Sequence, residues 1–335
     1  MHPSRLLLAS SVLFLAACGS TDGDTAPVAS PVDPGEKKSE GSHYDYGAKF
    51  EPAAPVEGYT RFVAPVVRDI APGSDITYCQ YVMAPTDKEI DILRVTGVQS
   101  AGGHHTVAFA TSKDAVGQSE ECVDGEMEAG FLGGTGGDGA AIELPENTAF
   151  RLSKGSGIML SNHFINTSDD FITGESVLDL QIVDVDPTRR VAGLFAVMSS
   201  EFDIPARGKA QAKQECVLEK DLEIFALTNH MHEYGTSASS RMIQAPGMAP
   251  RGVSDIPAWS PEMTGNPQWQ MYLGEDTLKL PKGAMVDVEC NWENTSASPL
   301  AFPREMCLTV GFFFAKTATS LACNNGTWVD ISPQL

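Results

Sequence analysis

Five of the seven histidines in this chain of 335 residues fall into three tight groups: His104 and His105 in GGHHT, His163 in SNHF, and His230 and His232 in NHMH. The other two, His2 and His43, lie near the N-terminus. Neutral imidazole is the commonest transition-metal ligand and suits copper, zinc, iron and nickel alike. Histidine used so sparingly, yet placed as HH, H and HxH, argues for a transition-metal protein. Taken singly, each group has a plainer reading: a surface pair for HxH, a hydrogen-bonded core residue for His163.

The elements that must position these side chains read as strands. His230 and His232 end the run from Glu223 to His232, and on a strand residues two apart share a face. His163 sits in a similar run from Gly157 to Ile165. His104 and His105 are neighbours, which a regular strand would point to opposite faces. They can share an ion only at a bend or strand end, and Gly102 and Gly103 supply that freedom. Elsewhere Ile90 and Ile92 alternate with Asp91, Leu178, Leu180 and Ile182 with Asp179 and Gln181, and Val286, Val288 and Cys290 with Met285, Asp287 and Glu289. Short period-two runs broken by Gly, Pro, Asn and Asp predict an all-β protein of two consecutive antiparallel sandwiches. No convincing helix exceeds three turns, and no internal repeat is visible. The polar stretch from Asp184 to Arg190 is the predicted boundary. It divides the chain into 56–188, holding His104, His105 and His163, and 189–335, holding His230 and His232. Gly134 to Gly139 formally matches GxGxxG but lacks a strand–helix setting, so it is read as a glycine-rich loop and not a dinucleotide site.

Residues 1–17 read as a secretory signal: a basic start at Arg5, an apolar run from Leu6 to Ala17, then LAAC. The LAAC ending predicts cleavage before Cys18 and lipidation of its thiol. That would place the protein at a bacterial membrane, the outer one favoured, with its folded part in the periplasm or at the cell surface. Residues 18–55, rich in Pro, Gly, Ser, Asp and Lys, read as a flexible tether. A net charge of −21 argues against nucleic acid and anionic membrane surfaces as partners. Cys79, Cys122, Cys216, Cys290, Cys307 and Cys323 read as disulfides in an exported chain, in any of about 15 pairings. No CxxC is present to suggest structural zinc or a redox motif.

The order HH, H, HxH and then EMC resembles the copper type II, ascorbate-dependent monooxygenases, the family of peptidylglycine α-hydroxylating and dopamine β-monooxygenases. The matching strings span most of the folded chain: Ile76-Thr-Tyr-Cys79, His104-His105-Thr, Leu144-Pro, Gly155-Ser-Gly, Asn162-His163-Phe, His230-Met-His232 and Glu305-Met306-Cys307. The resemblance implies an electron-storing copper on His104, His105 and His163. It implies a second, oxygen-binding copper on the catalytic residues His230, His232 and Met306, facing the first across an interdomain cleft. A thioether there is apt, since soft sulfur favours Cu(I). It also implies disulfides Cys79–Cys122, Cys216–Cys323 and Cys290–Cys307, with ascorbate or another one-electron donor, O2 and a small C–H substrate as partners of a monomer.

The family's carboxylate clamp is missing. Thr228, Leu308 and Val310 stand in its place, and none offers a charge-assisted contact; peptidylglycine is therefore not the expected substrate. Leu308 and Val310 lean toward something more apolar, unless they face the core. Two other readings are a periplasmic copper-binding lipoprotein without oxygenase activity and a surface interaction module with structural metals.

Overall fold

A computed structural model describes residues 48–122, 130–136, 141 and 143–332. The expected signal segment, Cys18 and the tether up to residue 47 lie outside them. In the first half the strands are β1 Thr60–Val63, β2 Val67–Ile70, β3 Asp75–Met83, β4 Ile90–Gln99, β5 Gly103–Thr111 and β6 Ser119–Cys122. They continue as β7 Phe131–Gly136, β8 Thr148–Leu152, β9 Gly157–Ile165, β10 Ile172–Gly174 and β11 Ser176–Asp184. The second half holds β12 Arg190–Ser199, β13 Asp203–Ile204, β14 Lys209–Val217, β15 Leu222–His230, β16 Gly235–Ile243 and β17 Arg251–Ile256. After a short helix, α1 Glu262–Gly265, come β18 Gln270–Met271, β19 Leu278–Leu280, β20 Met285–Glu293, β21 Leu300–Ala301, β22 Cys307–Ala315, β23 Ser320–Asn324 and β24 Thr327–Asp330. The protein is all-β, as its period-two patterning predicts. Among the described residues no helix is long and apolar enough to cross a membrane.

Each half is a sandwich. In the first, the sheet β6-β3-β9-β5-β7 packs through Ala108, Ile158 and Leu160 on Ile92, Leu178 and Leu180 of β4 and β11. In the second, β14-β20-β16-β17 packs through Ala238, Val286 and Val288 on Phe195, Leu227 and Phe313 of β12, β15 and β22. A parallel contact between β8 and β12 joins the two long sheets, so one sheet runs from β1 through β11, β4, β8, β12, β22 and β15 to β18. The inner strands of that sheet are covered on both faces, and their sequences, RVAGLFAVMS and CLTVGFFFA, are correspondingly near-continuous apolar runs. Phe225, Ala226 and Phe312 of the second half join the first half's core, where Phe312 sits 5.5 Å from Phe150 and 5.0 Å from Trp269, ring centre to ring centre.

Two strand readings need correction. Asp91 belongs to the predicted polar face of β4, yet it is fully buried. Its oxygens accept from Arg151 Nε at 2.8 Å and from Arg189 Nη1 at 2.6 Å, and so tie the 184–190 connection to the sheet. Gly134 and Gly136 lie in strand β7, not in a loop, paired with β5 at Val107 and His105.

The halves are also repeats, which the sequence conceals. The pairs β1–β11, β4–β11, β4–β8, β2–β10, β3–β9, β5–β9 and β5–β7 recur as β12–β22, β15–β22, β15–β19, β13–β21, β14–β20, β16–β20 and β16–β17. Registers agree as well. Ile92 pairs with Phe150 and Ile182 where Ile224 pairs with Leu278 and Phe313. A bulge interrupts β5–β9 between Gly103 and His105, and its counterpart interrupts β16–β20 between Gly235 and Ser237. The loops after β9 and β20 share Asn-Thr-Ser. Asn166 Nδ2 donates to Ile70 and Asp170 carbonyls, as Asn294 Nδ2 does to Ile204 and Ser298.

Candidate metal centre

His163 is on β9, between Thr77 of β3 and His105 of β5. The bulge at the start of β5 is what lets both neighbours, His104 and His105, reach it. Gly102 has a φ of +86°, a left-handed conformation, and a side chain on Gly103 would overlap Gln99. His163 Nδ1 lies 3.3 Å from His104 Nδ1 and 3.2 Å from His105 Nε2. Across the trio the ligand atoms are all within 4.8 Å of one another. Two nitrogens held on one ion at about 2.0 Å and a near-tetrahedral angle sit about 3.3 Å apart, so these spacings fit a first-row metal.

A carboxylate stands behind the trio that carried no signal in the sequence. Asp75 Oδ1 accepts from His163 Nε2 at 2.6 Å. With Nε2 carrying the proton, the Nδ1 lone pair faces His104 and His105, the arrangement by which carboxylates orient metal-binding histidines. Burial raises the Asp75 pKa, but the hydrogen bond from His163, with the charge and hydrogen bond of Arg304, outweighs it and holds the carboxyl well below the usual range. Only a rule about partners of metal-ligating histidines, applied to the acid that opens β3, could have singled it out.

His230 ends β15, directly opposite Leu308 of β22. His232 and Met306 both lie just beyond the last pair of that ladder, His232 two residues after His230 and Met306 two before Leu308. The imidazole centres of His230 and His232 are 5.2 Å apart. Even-numbered residues of β22 such as Val310 and Phe312 face the first half's core, whereas Cys307 and Phe313 face the second half's. Strand alternation therefore puts Leu308 and His230 on the face turned to the first half.

The turn holding His232 is fixed from several sides. Trp259 Nε1 donates to the His232 carbonyl at 2.9 Å and Thr264 Oγ1 to the Met231 carbonyl at 3.0 Å. His232 Nδ1 lies 3.1 Å from the Arg304 carbonyl, to which it donates, so that Nε2 is the nitrogen that could serve a metal. Fully buried Glu305 accepts from the backbone N–H of His232 at 3.1 Å, the N–H of Tyr234 at 2.6 Å and Trp292 Nε1 at 2.9 Å. The Cys290–Cys307 bridge anchors the residue after Met306; with Cys79–Cys122 and Cys216–Cys323 these are the pairs the family resemblance implies. EMC thus contributes a positioning carboxylate beside the thioether.

Burial pushes the Glu305 pKa up to about 7 against the pull of those N–H donors. Between its unfolded value, near 4.5, and its folded value, the native protein keeps a proton that the unfolded chain releases. Metal-free protein should therefore lose stability as pH rises through that window, by about 3 kcal/mol from this group, and change little above it. Denaturant unfolding of wild type and Glu305→Gln at intervals from pH 4.5 to 8 measures it. Equal slopes in the two proteins would contradict the assignment.

The clamp positions are accounted for. Thr228 is buried, with its hydroxyl on the Gln268 carbonyl at 2.9 Å. Val310 packs into the first half's core, and Leu308 stays half-buried across from His230. None supplies a cation.

The repeat shows that the two groups are not copies of each other. The positions of His105 and His163 are taken in the second half by Ser237 and Asn291, whose side chains hydrogen-bond at 3.1 Å. The register position of His230 is taken in the first half by Val98, and continuing the two ladders matches His232 with Ser100 and Met306 with Glu175. Neither half repeats the histidines of the other.

The chain matches no described protein family and no curated protein. Among solved structures, PNGF-II in its P21 crystal form has a TM-score of 0.34 at 10% identity over 76% of this chain, which spans 65% of that one. The infectious bursal disease virus VP2 subviral particle has a TM-score of 0.21 at 9% identity, over 79% of this chain and 75% of that one. Likenesses this distant carry no function across.

Proposed function

We propose that this protein is a copper-dependent monooxygenase that hydroxylates a C–H bond of a small organic molecule with O2 and an external one-electron donor. The observation that supports it most is the convergence of His104, His105 and His163 nitrogens at ligand–ligand spacing, backed by Asp75. The second group differs in kind. His230, His232 and Met306 offer two imidazoles and a thioether, a donor set matched to Cu(I), where simple storage would need no such division. When bound, copper would supply the electron transfer and oxygen activation that side chains lack.

The chain's own part is positioning. Asp75 holds the His163 tautomer; the Arg304 carbonyl holds that of His232. Glu305, Trp259 and Thr264 fix the HMH turn before any ligand arrives, so little ordering remains to be done on binding. Leu308 beside His230 presents an apolar flank, and with no cation at Thr228, Leu308 or Val310 the substrate is not a carboxylate held by a clamp. Lipidated Cys18 would keep the protein at the membrane in an exported compartment.

Oxygen uptake and hydroxylated product, measured with copper, ascorbate and a panel of neutral and apolar C–H compounds, test this. Product that requires all three components is expected. Copper bound without product on any substrate would favour the second reading, a copper-binding lipoprotein, for which His104, His105 and His163 alone form a sufficient ligand set.

A further inference from the structure

The two candidate centres are joined by an unbroken chain of contacts. Asp75 uses one oxygen for His163 Nε2 and the other for Arg304 Nη1, each at 2.6 Å. The backbone carbonyl of the same Arg304 receives His232 Nδ1 at 3.1 Å. Arg304 Nη2 is also 3.8 Å from Glu233, the residue after His232. A second contact runs alongside: Gly265 of α1 lies so close to His104 that a Cβ would sit 3.0 Å from its Nε2, while neighbouring Thr264 holds the Met231 carbonyl. Arg304 occupies a stretch peculiar to the second half. From Leu300 to Cys307 is seven positions, whereas the equivalent step from Ile172 to Ser176 is four.

We propose that the Asp75–Arg304 pair is a strap between the two centres, through which filling the three-histidine site tightens metal binding at His230, His232 and Met306. The inference rests on reading both groups as copper sites. His163, if its Nδ1 held an ion, would donate its Nε2–H to Asp75 more strongly. Asp75, so fixed, fixes Arg304, and the Arg304 carbonyl then holds His232 in the tautomer that presents Nε2. An exposed ion pair is ordinarily weak because two long side chains must be ordered. Here that ordering is largely in place, since Asp75 is held by His163 and the Arg304 backbone precedes buried Glu305. Arg304 and Asp75 are positioning residues: neither is a ligand.

The test is competitive Cu(I) titration of four proteins: wild type, His104→Ala/His105→Ala, Arg304→Met, and the triple variant. In the wild-type background, removing the three-histidine site should weaken binding at the other by about five- to twentyfold. In the Arg304→Met background the same removal should change it less than about twofold. A wild-type ratio near one, or an unchanged ratio in Arg304→Met, overturns the strap and leaves the copper reading standing. Wild type that binds fewer than two coppers overturns both. Should Arg304→Met not fold, Arg304→Lys carries the comparison; it keeps the charge but not the fork, and a ratio below wild type is expected. A plain surface ion pair would lower the melting temperature of either variant and leave the ratio untouched.

Discussion

Replacing Met306 with alanine should lower turnover by at least about a thousandfold while one copper per chain stays bound. A loss of that size corresponds to about 4 kcal/mol of barrier, the scale expected when a reacting centre loses a ligand and not merely a neighbour. The three-histidine centre should be spared, because its ligands lie on β5 and β9 of the other half and its orienting carboxylate on β3. Glu305 keeps its hold on the HMH turn, so the fold should be intact. Metal analysis and product formation on one preparation check both halves of the statement. Undiminished turnover would remove Met306 from the oxygen site, and loss of both coppers would show a collapse of the structure.

Asp91→Ala should destabilise the protein by about 3–5 kcal/mol, without changing the ligand groups. The substitution strips the shared partner from Arg151 and Arg189, whose side chains are only 12% and 15% exposed, and leaves two mostly buried guanidiniums uncompensated. It also frees the 184–190 connection, whose Asp186 N–H reaches Asp91 at 3.4 Å. Replacing the triad with apolar residues of similar size should cost far less, since the charges would leave together. Denaturant midpoints of the single and triple variants measure the difference; a single variant within about 1 kcal/mol of wild type would contradict the burial argument.

The all-β class and the strands around Ile90, Gly157, Leu178, Glu223 and Met285 were legible because period-two alternation and punctuation are local properties. Asp91 and Asp179 misled for a physical reason: a strand covered on both faces still accepts a carboxylate if arginines meet it, as Arg61 meets Asp179 at 2.7 Å, and those arginines are distant in sequence. The repeat was hidden because sandwiches constrain register and burial more tightly than residue identity. Asn-Thr-Ser at 166 and 294 was a trace of it, visible only once both loops are seen to bond alike. The HH pair was readable as a bend from Gly102 and Gly103, while Asp75, Glu305 and Arg304 were not singled out as positioning groups, because that role depends on which strand lies behind which histidine. Leu308 and Val310 looked alike in sequence and are both half-buried, and only the packing of Val310 against the first half's core separates it from Leu308 opposite His230.

Copper content by elemental analysis, with Cu(II) spectra of the same samples, tests the central claim most directly. Purified protein loaded with copper and freed of loose ion should hold two per chain. His104→Ala/His105→Ala should hold one, His230→Ala/His232→Ala the other with a distinct spectrum, and the variant lacking all five histidines none. Two coppers retained in that last variant, or no copper in the wild type, would contradict the account.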